Sequence, residues 1–596
     1  MSHNSLAAMF FDTAEKYPSK TGMMYKSEGN WQERNFSDMA VEVRQLAAGL
    51  AAMGVKKGHK VVIYGENSVE WALSDYAILT CGAATAAIYA TLLPEQAAYI
   101  CNDSGADIAL VSNKIQFDKL MSVEKDLKSV KTYILFDATG IDHPNVMTYK
   151  ALRDKGSEHL KANPGLIEQQ LASLTRNDLA IMIYTSGTTG EPKGVMLSHG
   201  NLLSNIEAGL RSLPVSEKDV FLSFLPLSHI FERMVGHFLA NFRGATIAYA
   251  QSIEAVPANL LEIRPTLMAS VPRLFEKIYA KVLAGVEEGS AVKQKIFNWA
   301  VGVGREVTTY RQNNRPLPGG LSFKYKLATK LVFSKLQERV GGNIRFFVSG
   351  GAPLAKEIGE FFTAAGLLII EGYGLSETSP VITVNRLDKF KFGTVGIALD
   401  NVEVKIAEDG EILTRGPHVM LGYYNKPEDT KEAIDEEGWF HTGDIGIFDE
   451  DGMLKITDRK KNIIVTAGGK NVAPQKVENL LVTSKYIDQV LVIGDKRKFC
   501  SALIVPSQEA VEKFAAEHGL DQSDFAKLCR EESVRKVIQH EVDEANARLA
   551  SYESIKKFIL VPRMFSIETG ELTPSLKIKR KVVESNYSGD IEALYN

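Results

Sequence analysis

The segment Tyr184-Thr-Ser-Gly-Thr-Thr-Gly-Glu-Pro-Lys-Gly194 concentrates groups able to hold an anion. Thr185, Ser186, Thr188 and Thr189 offer four hydroxyls, and Gly187 and Gly190 let backbone N–H groups converge on one point. Lys193 adds positive charge. The segment follows an apolar run, Leu179-Ala-Ile-Met-Ile183, so it sits where a strand ends. Its character is that of a phosphate cradle. It is not a Walker A loop, because Lys193 lies three residues after Gly190 and no Ser or Thr follows it. A plain Ser/Thr/Gly surface loop has the same composition, so partners are needed before the segment names a reaction.

Two other junctions have the same design. Arg345-Phe-Phe-Val348 runs into Ser349-Gly-Gly-Ala-Pro353, and Leu367-Leu-Ile-Ile370 runs into Glu371-Gly-Tyr-Gly-Leu-Ser-Glu-Thr378. Parallel α/β sheets bind ligands beyond the carboxyl ends of their strands. Three polar, Gly-rich loops at strand ends therefore read as one composite site.

In its full form, Y-T-S-G-T-T-G-x-P-K-G, the first segment resembles the signature of the adenylate-forming (AMP-binding) superfamily, which includes acyl-CoA synthetases. Further motifs follow in the family's order from Tyr184 to Arg580. The resemblance implies that the whole of Thr185–Gly190, with Lys193, binds ATP. It implies that Gly350, Gly351 and Ala352 admit the adenine, that Tyr373 and Gly374 face it, and that Ser376 and Thr378 contact phosphate. Glu377, with the Thr185 hydroxyl, would hold Mg²⁺, which prefers one or two carboxylates plus substrate phosphates. Thr442-Gly-Asp444 matches the motif whose Asp444 binds ribose, and Asp458-Arg459 the hinge motif whose Arg459 also reaches it. Lys461 takes the position about which the family's small domain rotates, and Gly468-Gly469 lies in a loop that swings toward the site for thioester formation. In Leu572-Thr-Pro-Ser-Leu-Lys-Ile-Lys-Arg580, Leu576 stands where the family usually has glycine. Lys577 and Arg580 keep the usual spacing, which makes Lys577 the candidate catalytic lysine and Lys579 its competitor. Pro226-Leu-Ser-His-Ile-Phe-Glu-Arg233 and Val271-Pro-Arg-Leu-Phe-Glu-Lys277 resemble long-chain fatty acyl-CoA synthetases, with His229 at the acyl-pocket position. A lone histidine is also a common structural residue.

The elements that must position these residues alternate. Val43, Leu46, Ala47 and Leu50 share one helical face, with Ser37 as the expected N-cap and Gly54 and Gly58 at the exit. Val61–Tyr64 and Ile108–Val111 read as buried strands around a helix ending at Leu79. Strands alternating with helices predict an α/β large N-terminal domain of parallel-sheet subdomains plus a small β subdomain. Short strands at Val402–Ile406 and Glu411–Thr414 belong to the latter. We expect the large domain over 1–457, a hinge over 458–461 and a mobile, smaller α+β lid over 462–596. Within the lid, strands are predicted near Gln489–Ile493 and Ala502–Val505, and helices near Lys476–Leu481 and Ser533–Ala550. From Glu276 to Val340 the pattern is helical and rich in lysine. It reads as a solvated helical excursion or as a membrane-facing or partner-facing surface.

The chain has 596 residues, 45% hydrophobic and 24% charged, and a net charge of −4. That length implies several cores, and the charge disfavours a nucleic-acid partner. Four scattered cysteines form no CxxC pair, which argues against a disulfide framework or a zinc site. No signal peptide or membrane span is expected. The predicted activity is that of an acid–thiol ligase, a long-chain fatty acid–CoA ligase that forms AMP, with ATP, Mg²⁺, a fatty acid and coenzyme A as small-molecule partners. A cytoplasmic location is expected, with peripheral contact at the inner face of a membrane, as a monomer or a homodimer. The rival readings are an acyl-AMP ligase loading a carrier protein, an aryl- or medium-chain acyl-CoA ligase, and an inactive binding paralogue.

Overall fold

The computed structural model describes residues 3–185, 191–573 and 577–596. Two large, mostly parallel sheets form the bulk of the chain. One runs in the order Gly422–Tyr423, Lys193–Ser198, Leu179–Thr185, Ala84–Tyr89, Lys60–Gly65, Ile108–Val111, Thr132–Leu135 and Val146–Thr148. The other runs Ile397–Ala398, Val381–Val384, Ile369–Gly374, Phe346–Ser349, Leu267–Ser270, Val220–Ser223, Thr246–Tyr249, Thr21–Ser27 and Asn30–Asn35. Strands buried on both faces read as continuous apolar runs, and Ile108–Val111 is wholly buried as expected. A four-stranded antiparallel sheet carries Glu403–Ile406, Glu411–Arg415, Phe440–Phe448 and Leu454–Arg459.

After a short 3₁₀ turn, Lys460–Asn462, the chain builds a smaller α+β unit. Its three strands are Ile487–Ile493, Cys500–Pro506 and Ile555–Leu560. The helices Pro474–Leu481 and Glu532–Asn546 cover them. The second helix stops short of the predicted Ala550.

Two local expectations are corrected. The helix Phe36–Ala52 is capped by Asn35, whose side chain accepts the Asp38 N–H, so Ser37 already lies inside it. The predicted face Val43, Leu46, Ala47 and Leu50 is fully buried. The loop predicted from Glu371 is strand as far as Gly374, because Gly372 and Tyr373 pair with Val384 and Thr383. The four cysteines are free and buried. Among the described residues, no helix is long and apolar enough to cross a membrane.

Candidate functional site

The carboxyl ends of both large sheets, the small antiparallel sheet and the lid meet in one cluster of charged and aromatic groups. Leu179–Thr185 turns back as an antiparallel hairpin on Lys193–Ser198, with Thr185 opposite Lys193. Ser186, Gly187, Thr188, Thr189 and Gly190 lie outside the described residues, as does Leu576. Lys193 Nζ pairs with Asp429 (2.6 Å) and stands 5.0 Å over the Tyr423 ring. Tyr423 donates its hydroxyl to Glu377 Oε1 at 3.0 Å. One tyrosine thus ties the hairpin to the loop after Gly374.

That loop is shaped by its backbone. A Cβ on Gly374 would lie 1.6 Å from the Pro380 carbonyl oxygen, so only glycine fits there. Ser376, Glu377 and Thr378 form a 3₁₀ turn. The Thr378 hydroxyl accepts the Leu375 N–H (2.9 Å) and donates to the Pro380 carbonyl (2.6 Å). It is fully buried, so the turn consumes the hydroxyl expected to meet phosphate. Ser376 and Glu377 are half-buried.

Tyr373 donates its hydroxyl to Asp444 Oδ2 (2.8 Å), and Arg459 Nε pairs with Asp444 Oδ1 (3.2 Å). These bonds join the end of one large sheet to two strands of the small one. Asp444 is nearly inaccessible, and both carboxylate oxygens are held at fixed positions. Phe346–Ser349 leads into Gly350, where a Cβ would meet the Phe231 ring at 3.1 Å, and into Gly351, whose φ is +80°. Ala352 is exposed beside them. His229 lies near, with Nδ1 accepting the Phe231 N–H (3.1 Å), which leaves the ring proton on Nε2.

The lid completes the cluster. Burial lowers the Lys577 ammonium to about 8; Arg459 and Lys461 push the same way, while Asp444 and Glu377 oppose them. His229 is driven down to about 3, first by burial and then by the cation of Lys577. Burial also lowers Lys461. Lys577 thus shares its surroundings with Asp444, Glu377 and His229. Arg580 is committed inside the lid to Glu478 (2.6 Å). Three cations and two carboxylates around one point suit a polyanion that also carries hydroxyls.

Several contributors were not legible in the sequence. Arg273 bonds the Asp488 carbonyl (2.6 Å) and carboxylate (3.0 Å), docking the lid on the helix Pro272–Glu287. It lay in a quoted motif, but nothing there pointed to the lid. Lys485–Glu287, Lys513–Glu288 and Arg548–Glu357 are further ion pairs along that seam. Glu371 is buried and raised to about 8, so it is largely neutral near pH 7. Arg233 and Asp75 form a wholly buried ion pair beside the histidine segment. No group of three or more His, Cys, Asp or Glu could hold a metal among the described residues. Glu377 has one oxygen engaged by Tyr423, a donor set that fits a cation completed by ligand phosphates and not a protein cage.

The sequence profile of the AMP-binding enzyme family matches residues 10–424, and that of the AMP-binding enzyme C-terminal domain matches residues 461–596. The chain is 37% identical to the long-chain-fatty-acid–CoA ligase FadD15 of Mycobacterium bovis, across 100% of this chain and 97% of that protein. It is 32% identical to the long-chain-fatty-acid–CoA ligase ACSBG2 of Xenopus laevis, across 98% of this chain and 83% of that one. The fold resembles that of the anthranilate CoA ligase AuaEII in complex with anthranoyl-AMP, with a TM-score of 0.76 at 18% identity over 99% of both chains. It also resembles ATP-bound MatB from Rhodopseudomonas palustris, with a TM-score of 0.67 at 22% identity over 98% of this chain and 99% of that one.

Proposed function

From the premise that this chain belongs to the AMP-binding enzyme family, we propose that it activates a long-chain fatty acid with ATP and passes the acyl group to coenzyme A. The observation that carries this reading is Lys577 of the small domain standing among Asp444, Glu377 and Arg459, beside His229. In the first half-reaction the fatty-acid carboxylate oxygen bonds to the α-phosphorus and the bond to the β-phosphate bridge breaks, releasing pyrophosphate. Negative charge grows on the phosphoryl oxygens, and a cation already in place stabilises it without reorganisation. Lys577 is that cation, and Arg459 and Lys461 add to the same field. Asp444 holds the ribose hydroxyls, since both its oxygens are fixed acceptors. Gly350, Gly351 and Ala352 leave room for a flat base beside Tyr373, and Lys193 with the Thr185–Gly190 segment meets the outer phosphates. Glu377 and Thr185 would hold Mg²⁺, which when bound supplies charge neutralisation on the phosphates.

In the second half-reaction the thiol of coenzyme A forms a C–S bond at the acyl carbon. The bond to AMP breaks and the thiol proton goes to solvent. For that step residues 462–596 rotate as a lid on the hinge 458–461 against the large domain 1–457, with Lys461 at the pivot. Lys577 leaves and the acyl carbon is uncovered, a gating step of the kind that often limits turnover. His229, neutral and half-buried, lines the acyl end. The reading includes a cytoplasmic location, to which four free, buried cysteines are suited, and peripheral contact with a membrane, where an apolar acid resides.

The test is ATP–pyrophosphate exchange with fatty acids of graded length, with and without coenzyme A, in wild type and Lys577→Ala. The variant should lose exchange yet still form thioester from a supplied acyl-adenylate. Unchanged exchange in Lys577→Ala would overturn the assignment, and full product formation without coenzyme A would point to another acceptor.

A further inference from the structure

Residues 291–340 hold ten lysines and arginines against Glu306 and Glu338, a net of +8 in a chain whose net is −4. All ten are exposed, and none is in an ion pair among the described residues. A solvated helical face normally interleaves both signs. This one does not, and it also carries apolar groups in solvent. On the helix Ala291–Gln312, Val292, Ile296 and Trp299 are exposed at a spacing of one face. On the helix Gly319–Ala328 and its continuation, Phe323, Leu327 and Leu331 repeat the design, and Phe323 is 70% exposed. In both helices the stripe is flanked on each side by lysine: Lys293 and Lys295 in the first, Lys324 and Lys326 in the second. The two helices pack against each other as a hairpin.

The core leaves these groups uncovered. The first helix buries the later turns of the same face, Ala300, Val303 and Val307, against the large domain, and Val292, Ile296 and Trp299 continue that stripe into solvent. The docked lid engages the preceding helix, through Arg273 and Glu287, and leaves these stripes uncovered. Aromatic and branched side chains rimmed by unpaired cations match the interface of an anionic bilayer, where apolar groups enter the acyl boundary and lysines meet headgroup phosphates. A second copy of the chain would have to oppose this +8 surface to itself, which charge repulsion disfavours.

We propose that the helical hairpin 291–340 is the surface by which this protein docks on an anionic membrane, with Phe323, Leu327, Leu331 and Trp299 inserting and the lysines beside them binding headgroups. The assignment does not rest on the ligase reading, because binding is measured without ATP or acyl substrate.

The experiment is flotation of the full chain with vesicles of phosphatidylcholine alone, or with about 30% phosphatidylglycerol, at about 0.1 M and about 0.5 M salt. Wild type should bind the anionic vesicles at low salt, release at high salt, and ignore the neutral ones. The combined variant Lys324→Glu, Lys326→Glu, Lys330→Glu should lower partitioning at least about tenfold, and Phe323→Ser should lower it several-fold. A control with the same charge change on another helix, Lys150→Glu, Lys155→Glu, Lys161→Glu, should bind as wild type does. Pyrophosphate exchange with a water-soluble acid should be unchanged in all of them, which verifies folding. Equal losses in both triple variants, or a wild type that ignores anionic vesicles, overturns the proposal. So does a patch variant that alters only the oligomeric state in light scattering, which would assign the face to a second copy.

Discussion

With Lys577 as the cation of the proposed adenylation half-reaction, its lowering from 10.5 to about 8 should make that step pH-dependent in a range where an ordinary lysine is silent. The sign follows from the charge required. The protonated form is the useful one, so raising pH through the folded value removes it. With a value of about 8, roughly 90% of Lys577 is charged at pH 7 and roughly 10% at pH 9, so kcat/KM for ATP in pyrophosphate exchange should fall about tenfold between them. An unperturbed lysine would lose only about 3% of its charge over that interval. Because kcat/KM reports the free enzyme, it should show this limb. In kcat the limb should move to higher pH, since a bound triphosphate favours the ammonium. Lys577→Arg keeps its charge throughout and should abolish the alkaline limb, whatever its absolute rate. A wild-type profile flat to about pH 9.5, or the same limb in Lys577→Arg, would refute the reasoning, because the titrating group would then lie elsewhere.

Other perturbations separate the remaining roles. Glu377→Gln keeps the Tyr423 hydrogen bond but halves the carboxylate's value to a cation, so the Mg²⁺ concentration for half-maximal exchange should rise about tenfold or more; an unchanged titration would remove Glu377 from the metal role. Arg273→Ala cuts the lid's bonds to Asp488 and should lower exchange about three- to tenfold, while thioester formation from supplied acyl-adenylate holds; equal loss in both half-reactions would mean the fold was damaged. Arg233→Met strands the buried Asp75 carboxylate and should cost about 3–5 kcal/mol in denaturant unfolding, much of it recovered on adding Asp75→Leu.

What the sequence made legible was local. The run Leu179–Ile183, the face Val43–Leu50 and the turn at Ser376–Thr378 each announce themselves through periodicity or residue type over a few positions. The assembly of the two large sheets did not, because Thr21–Ser27 pairs with Thr246–Tyr249 across more than two hundred residues, and nothing in either segment encodes the other. The same holds for the site. Asp444 and Tyr373 are separately recognisable, but the bond that fixes both is a product of the fold. Thr378 shows the converse. The family resemblance implied a phosphate contact, and only the geometry of the turn shows the hydroxyl spent on Leu375 and Pro380. Arg273 and Asp488 lie in different domains, so their contact depends on how the lid is seated.

That seating has an energetic logic. Lys577 enters a site already occupied by Arg459 and Lys461, and both repulsion and burial oppose its charge. Without a polyanion the closed arrangement is therefore costly at its centre and held mainly at its edge. The edge pairs, Lys485–Glu287, Lys513–Glu288 and Arg548–Glu357, are largely solvent-exposed, and such pairs contribute about 0–1 kcal/mol each. In the proposed cycle a few weak bonds would seat the lid without locking it. ATP would supply the missing negative charge and favour closure. Departure of pyrophosphate would withdraw most of that charge and restore the repulsion on Lys577. The cost that burial and its cationic neighbours impose on this one lysine would thus drive the lid open at the point in the cycle when the acyl-adenylate must be exposed.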